Sequence, residues 1–580
     1  MSRPDRSKKL QNRRTTNEST VTLSFRSLIK NDIPEYIKKQ ICQEVEKRVN
    51  QFSFKNHNAY LALNLLVREC FEQHSELPCF WDQTFLRQLH LGTHGAQKPC
   101  IEITKLYQEN PYILPNNDRS LGDRNIYSSG AILMSTNIKN HLVTNFERIL
   151  KKYIYMVNNC TDDQGAVVMS KIYGWKSNRV LKLDDTTKVN LLVLELQALL
   201  QLEDSDHLGE QWFKIEANLY TILKFFVHVN IWILDAFKQF DILPMSGMNL
   251  KSINLDTSSM EGVFKSIGID DFEWNKYFDM ERIRVEKKTF TGTITTNGIV
   301  ANVHFLSPKT EKSKTPIKIE GKRVVSNDPG RTNIYYMAEE TMPEIFKFYS
   351  LTRKSYYQES GINKANKNSS NWNKKVKKEL ELLSKESKKS LDVSIFKSYL
   401  NIVMKTRNDL FTEYSKKKWR QQQFRLYGGK KRVFAKFFNQ IGIDDNTVFA
   451  YGAAKFSPGG KGEMVVPTAK AYKECAYRAP VIMVDEFRTS KAYWKTWEIL
   501  KTIAIKTKTG NLKTVRGLLW CSSTKYGFVN RDKNAAINIL RCAILSNRPT
   551  ILDRSLAKEK ITQTLGKIIK NKNLSYTTKR

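Results

Sequence analysis

The hydrophobic and polar positions of this chain change period several times, and the changes divide it into segments. Residues 21–28 alternate apolar and polar and predict a strand. From about residue 36 to 245 the spacing becomes helical, most strongly over residues 189–202 and 212–240, which are apolar along one face. Alternation returns between 283 and 306. Ile283-Arg284-Val285, residues 290–294 and residues 299–305 read as strands, with Thr296-Asn297-Gly298 between the last two. Asn-Gly between alternating runs signals a hairpin, because both residues accept the positive φ of a tight turn. Strands thus flank a helical block, which predicts a β-domain with a helical insertion. Residues 307–319, rich in Pro, Lys and Thr, predict a linker.

From Val324 onward strand and helix alternate. Ile334-Tyr335-Tyr336-Met337 and Phe346-Lys347-Phe348-Tyr349 fit strands of one sheet, and Thr447-Val448-Phe449-Ala450-Tyr451 fits another. Residues 353–435 between them are very basic and helix-prone. Val481-Ile482-Met483-Val484 is a further short apolar run. Ala535, Ala536, Ile539 and Leu540 follow a helical spacing. The chain therefore reads as a multidomain α+β protein. A disordered basic arm covers 1–19, β segments cover 20–35 and 246–320, and a helical domain covers 36–245. An α/β domain covers 321–580, with insertions at 353–435 and 488–527 and a basic tail at 550–580.

Composition narrows the partner. Among 580 residues, 95 Lys and Arg against 58 Asp and Glu leave a formal charge of +37. That excess favours a polyanion, nucleic acid before an anionic membrane. No membrane contact is expected. The best apolar run, residues 220–237, carries Lys224, His228, Asn230 and Asp235 and reads as a buried helix. The eight cysteines are scattered without a C-x-x-C pair, and the N-terminus has no apolar signal core, so reduced intracellular thiols are expected. Lys8-Lys9 and Arg13-Arg14 are compatible with nuclear import, and equally with a plain basic arm. There is no G-x-S-x-G, no H-E-x-x-H and no Walker-type loop. No histidine follows His304, so the C-terminal part has no imidazole chemistry.

What the C-terminal part does have is carboxylates at element ends. Asp328 follows the β-branched pair Val324-Val325. Pro329 biases it towards extended backbone, and Gly330 accommodates the turn. Asp485 and Glu486 follow Val481–Val484, and Asp532 stands at the start of the last helix, where it is either a cap or a ligand. Such acids, brought together, hold hard divalent cations. The basic insertion places Lys374, Lys375, Lys377, Lys378, Trp419, Arg420, Lys430, Lys431 and Arg432 among further aromatics, a composition that suits a nucleic-acid groove.

Asn327-Asp328-Pro329-Gly330-Arg331-Thr332-Asn333, Val484-Asp485-Glu486-Phe487-Arg488-Thr489-Ser490 and Arg531-Asp532-Lys533-Asn534-Ala535-Ala536-Ile537-Asn538, in this order, resemble the split RuvC core of Fanzor proteins. These are the eukaryotic and viral relatives of TnpB and of type V CRISPR effectors. The 290–298 hairpin resembles the one preceding that core. The likeness implies a RuvC-like (RNase H-type) nuclease domain over 321–580. It also implies a WED-like β-barrel with an inserted helical recognition domain, and a target-nucleic-acid-binding insertion at 488–527.

The resemblance further implies an RNA-guided DNA endonuclease acting in the nucleus as a monomeric ribonucleoprotein. Its cofactors would be a guide RNA and Mg2+, two ions held by Asp328, Glu486 and Asp532, and its target double-stranded DNA beside a short flanking motif. TnpB carries its middle glutamate where this chain has Gly452; the Fanzor pattern points to Glu486, with Asp485 as the competing neighbour. Thr489-Ser490 opens a four-cysteine zinc ribbon in TnpB, but only Cys521 remains here, with Thr524 in its partner's place. No zinc is therefore expected, and Trp494, Trp497, Leu518, Leu519 and Trp520 would hold the segment by packing. The rival readings are an RNA-guided binder that has lost cleavage and a guide-independent transposon-associated nuclease or transposase.

Overall fold

A computed structural model of the chain describes residues 16–92, 98–113, 123–157, 218–232, 239–308, 317, 319–453, 464–506, 510–523 and 527–554. The chain forms two compact units. One is built from the residues up to Thr310 together with Ser369–Gln421, the other from Glu311–Asn368 and Gln422–Arg580.

In the first unit the strands β1 (Thr16–Ser24), β2 (Ile253–Asp256), β3 (Thr289–Thr296) and β4 (Val300–Pro308) make an antiparallel sheet in the order β1-β4-β3-β2. Asn297 Oδ1 accepts the N–H groups of Ile299 and Val300, and Gly298 takes φ +83°, so the Asn-Gly hairpin forms as its sequence predicts. Helices α1 (Glu35–Glu72), α2 (Asp123–Val157), α3 (Leu219–Trp232) and α4 (Val393–Tyr414) belong to the same unit. From Phe52 to Arg68 nearly every side chain of α1 is buried, so the helix runs through the interior. Its polar residues are paired there. Arg48 donates to Asp123 Oδ1 at 2.6 Å, and Arg68 donates to the carbonyls of Asn64 and Ser390.

Several expectations shift. The first strand begins at Thr16, inside the expected arm, and the chain turns helical at Phe25–Leu28. Ile283 is buried in the core beneath the sheet, but residues 281–283 form a turn rather than a strand. The described strands of this unit make an open four-stranded sheet, not a barrel. The expected apolar helix at 189–202 lies outside the described residues, as do residues 1–15 and 555–580.

The second unit is organised on a five-stranded sheet. Strands β5 (Arg323–Asn327), β6 (Asn333–Met342) and β7 (Ile345–Thr352) run antiparallel, while β8 (Thr447–Gly452) and β9 (Val481–Val484) add in parallel on the other side of β5. The order is β7-β6-β5-β8-β9. Each residue of β8 is buried, as an inner parallel strand covered on both faces requires. One face packs against α5 (Lys417–Ile441) and α6 (Thr468–Arg478). There Val325, Tyr335, Phe449 and Tyr451 meet Phe434, Phe437 and Cys475. A small antiparallel ribbon, β10 (Lys501–Lys506), β11 (Leu512–Trp520) and β12 (Phe528–Asn530), leads into α7 (Arg531–Ile544). This last helix covers the opposite face, setting Ala536 and Ile539 against Ala338, Ala450 and Val484. The basic stretch expected as one insertion is divided: 369–421 belongs to the first unit, and the rest of α5 is part of the second unit's core.

Candidate functional site

The three parallel strands end on the same side of the sheet, where Asp328 follows β5, Asp485 and Glu486 follow β9, and β8 ends in Gly452. Side chains alternate along a strand. Val324 and Ser326 face α7, where Ser326 Oγ lies 2.7 Å from the carbonyl of Ala536. Asp328, two residues further, keeps that face. Ala450 and Val484 face α7 as well, which carries the same side on to Gly452 and Glu486. Parity therefore puts Asp328 and Glu486 on the face that α7 covers, and turns Asp485 away.

Local hydrogen bonds fix each carrier. Asp328 N–H donates to Tyr336 O, and Gly330 N–H closes a turn onto Asn333 O, both at 2.9 Å. Gly330 is a close-approach position, since a Cβ there would stand 3.1 Å from Asn333 O. The turn presents Asn333, whose Nδ2 donates to Asp532 Oδ2 at 2.7 Å. Asp532 is not the cap of α7. Asn530 takes that role, its Oδ1 accepting Lys533 N–H at 3.0 Å, which leaves the Asp532 carboxylate in the first turn for other work.

The Glu486 segment is fastened to the same helix. Buried Asn534 and Asn538 both donate to the carbonyls of Thr489 and Ala492, and Asn534 Oδ1 accepts Trp494 N–H at 3.0 Å.

Between the two neighbouring acids the structure chooses Glu486. A Cβ placed on Gly452 would stand 2.6 Å from Glu486 Cδ and 2.9 Å from Pro329 Cδ. The Glu486 carboxylate thus fills the space that a side chain at the end of β8 would occupy, beside the Asp328 turn. Asp485 points elsewhere and is half-exposed. Arg554 donates to it at 2.9 and 3.2 Å and holds its carboxyl below the usual range. Its partner is Arg554, while the guanidinium of the neighbouring Arg488 lies 5.0 Å from the Phe487 ring.

Asp328 lies within electrostatic reach of Glu486 and Asp532. Asp328 is partly buried, and its carboxyl is pushed well above the ordinary range, first by loss of water and then by the negative charges of Glu486 and Asp532. Arg531 opposes them. Among the described residues, no three His, Cys, Asp or Glu side chains are gathered closely enough to form a finished metal cage. The donor set nevertheless fits a hard divalent cation: three carboxylates, no sulfur or imidazole, and an excess of negative charge that a cation would relieve.

The basic candidates separate into two groups. Lys374, Lys375, Lys377, Lys378, Lys430, Lys431 and Arg432 are exposed, as phosphate contacts require. Arg420 is not available. It is 2% exposed, donates to Asn297 O and Ser415 O at 2.8 Å each, and pairs with Glu46, so it braces the hairpin of the first unit. Trp419 is half-buried, its ring edge-on to Trp372 at 4.8 Å and Tyr414 at 5.1 Å.

In the 488–527 insertion, the turn at residues 493–498 and the Cys521 turn meet through a carboxylate. Glu498 accepts Ser522 N–H at 3.2 Å and the Cys521 thiol at 3.5 Å, and its carboxyl is held below the usual range. Packing divides differently from the expectation: Leu519 joins Leu500 and Cys521, Trp494 meets Phe346, and Trp520 remains half-exposed.

Sequence reasoning missed Asn333, Asn534 and Asn538 as positioning groups. The signal was present: amides four residues apart lie on one face of a helix, and buried amides seek carbonyls. No protein-family model matches the chain and no curated protein matches it, so the strand-end acids and the bonds that hold them carry the functional argument.

Proposed function

We propose that this chain is an RNA-guided DNA endonuclease, with a RuvC-like catalytic unit and a WED-like β-domain carrying a helical recognition region. One observation carries the proposal: the Glu486 carboxylate lies against the end of β8 beside the Asp328 turn, and Asn333 at the end of that turn bonds Asp532, on the side where open α/β sheets bind their ligands. A Mg2+ ion held by Asp328, Glu486 and Asp532 would supply Lewis-acid chemistry for hydrolysis of a phosphodiester. The chain's own part is positional. Asp328, Glu486 and Asp532 would hold the metal, Asn333 orients Asp532 by its 2.7 Å bond, and Asn534 with Asn538 ties the Glu486 segment to the Asp532 helix.

The charge of +37 and the exposed lysines support a guide RNA and a DNA target as partners, with sequence choice left to base pairing. Lys8-Lys9 and Arg13-Arg14 support a nuclear site of action. Among the described residues no helix is long and apolar enough to cross a membrane.

A second reading, guided binding without cleavage, is favoured by the fact that, among the described residues, no three acids are gathered into a metal-holding group. One experiment separates the two. RNA that co-purifies with the protein is sequenced and used to programme cutting of matched DNA. Asp328→Ala and Asp532→Ala should abolish cleavage and leave RNA and DNA binding intact, whereas cutting by either variant at the wild-type rate removes the site. A wild type that binds matched DNA without cutting it establishes the second reading.

A further inference from the structure

Three elements of the first unit meet around polar atoms that the chain itself leaves unpaired. On α1, His57 is 3% exposed and Asn58 is fully buried. Arg407 and Phe411 of α4 face them. The Arg407 guanidinium lies 4.9 Å from the Phe54 ring, and its Nη1 is 3.4 Å from Asn58 Oδ1. Phe411 stands edge-on to His57, with ring centres 5.9 Å apart. The third element is the segment 246–251, fastened to α1 at both ends. Ser246 O meets His57 Nδ1 at 2.8 Å, and Lys251 N–H donates to Ser53 Oγ at 2.8 Å.

Asn58 Nδ2, Arg407 Nε and His57 Nε2 are all buried and have no hydrogen-bond partner. Buried polar atoms are seldom left so. Charge is unbalanced as well. Arg407 and Lys251 are partly buried, and among the described residues neither has a carboxylate partner. Burial lowers the pKa of both, with no acid nearby to oppose it. A water would satisfy the donors but leave two cations without a counter-charge.

His57 narrows the choice of anion. Its Nδ1 faces a carbonyl, so the ring hydrogen sits there and Nε2 is an acceptor. Burial first, then the charges of Arg407 and Lys251, keep the ring neutral by lowering its pKa to about 4 against the Ser246 bond. The group therefore offers donors, positive charge and one acceptor. Hydrogen phosphate is the matching shape: it has an O–H to donate and anionic oxygens to accept. Sulfate and the diesters of a nucleic-acid backbone have no such hydrogen at neutral pH.

We propose that the first unit binds one free hydrogen phosphate ion between α1, α4 and the segment 246–251, with its hydroxyl on His57 Nε2 and its oxygens on Asn58 Nδ2 and Arg407 Nε. Lys251 supplies the second positive charge. The site rests on contacts within the first unit and is independent of the nuclease reading.

The test uses the full chain with its co-purified RNA, freed of phosphate and then dialysed to equilibrium against radiolabelled orthophosphate at constant ionic strength. Uptake should saturate at about one ion per chain. Sulfate should compete roughly tenfold or more less well than unlabelled phosphate, the cost of leaving the buried His57 acceptor unmet. Arg407→Gln should weaken uptake by a similar factor. Asn58→Asp places a carboxylate beside Arg407, so it should abolish uptake and, in phosphate-free buffer, melt no lower than wild type. That variant keeps the test open if Arg407→Gln fails to fold. Neutralising the exposed Lys430, Lys431 and Arg432 should leave uptake unchanged. No saturable uptake would overturn the site, whether water or a backbone phosphate of the RNA fills it. Equal competition by sulfate, full uptake in Asn58→Asp, or loss of uptake in the surface variant would each overturn it as well.

Discussion

Gly452→Ala tests the placement of Glu486 with a single methyl group. Gly452 lies in extended backbone and has no positive φ, so alanine there adds no backbone strain and removes some freedom from the unfolded chain. The added Cβ would stand 2.6 Å from Glu486 Cδ and closer still to Oε1, against about 3.4 Å for ordinary contact, so the carboxyl group must retreat by about 1 Å or more. Pro329, at 2.9 Å, cannot swing away as a flexible side chain does, so the Asp328 turn must also shift slightly while most of the displacement falls on Glu486. A misplacement near 1 Å in a positioned catalytic group costs roughly a hundredfold in rate, or about 2.7 kcal/mol of barrier. Cleavage of matched DNA under single-turnover conditions should therefore fall by tens to a hundredfold. Guide and target affinity should stay the same, and the melting temperature should move little. The companion variant is Gly452→Glu with Glu486→Ala, which moves the carboxylate to the end of β8; it should recover part of the activity that Glu486→Ala alone loses. A Gly452→Ala protein that cuts at the wild-type rate would refute the argument, because the Glu486 carboxylate would then have no function in the space it occupies.

Four further outcomes follow from contacts described above. The Asp328 carboxyl is raised by burial and by Glu486 and Asp532, so its contribution to stability is complete below the unfolded value of 3.8 and is lost as pH rises through its elevated folded value. In EDTA, Asp328→Asn should therefore melt higher than wild type at neutral pH, with the gap closing towards acid; parallel melting curves across pH would contradict this. Arg420→Ala should destabilise the first unit by roughly 3 kcal/mol without changing the salt dependence of nucleic-acid binding. Neutralising Lys430, Lys431 and Arg432 should spare the melting temperature and lower the salt slope by roughly one per lost phosphate contact, and the opposite pattern would reverse the two assignments. Elemental analysis should find less than one zinc per chain, since Cys521 is the lone thiol of its ribbon and bonds to Glu498.

What could be read from the sequence followed local rules. β5, β8 and the Asn297-Gly298 hairpin were legible because β-branched runs and turn residues act over a few positions. The face of Glu486 was legible in principle, since alternation from Val484 decides it. Asp532 was ambiguous between cap and ligand, and the ambiguity lay in Asn530, whose amide takes the cap two residues earlier. Arg420 was misread because one buried guanidinium inside a run of solvated lysines has no local mark; its partners Glu46 and Asn297 lie hundreds or scores of residues away. Ile283 supplied a strand-like pattern from a buried turn, where burial without pairing imitates alternation. Asn534 and Asn538 look like ordinary polar positions of an amphipathic helix until the carbonyls of Thr489 and Ala492 are seen beneath them.

Those two asparagines have a consequence for how this part of the chain tolerates change. They clamp the backbone just before Trp494, and α7 begins just after β12, so both ends of residues 494–530 are anchored on one helix. Whatever lies between the anchors can be lengthened, shortened or exchanged without altering the spacing of Glu486 and Asp532.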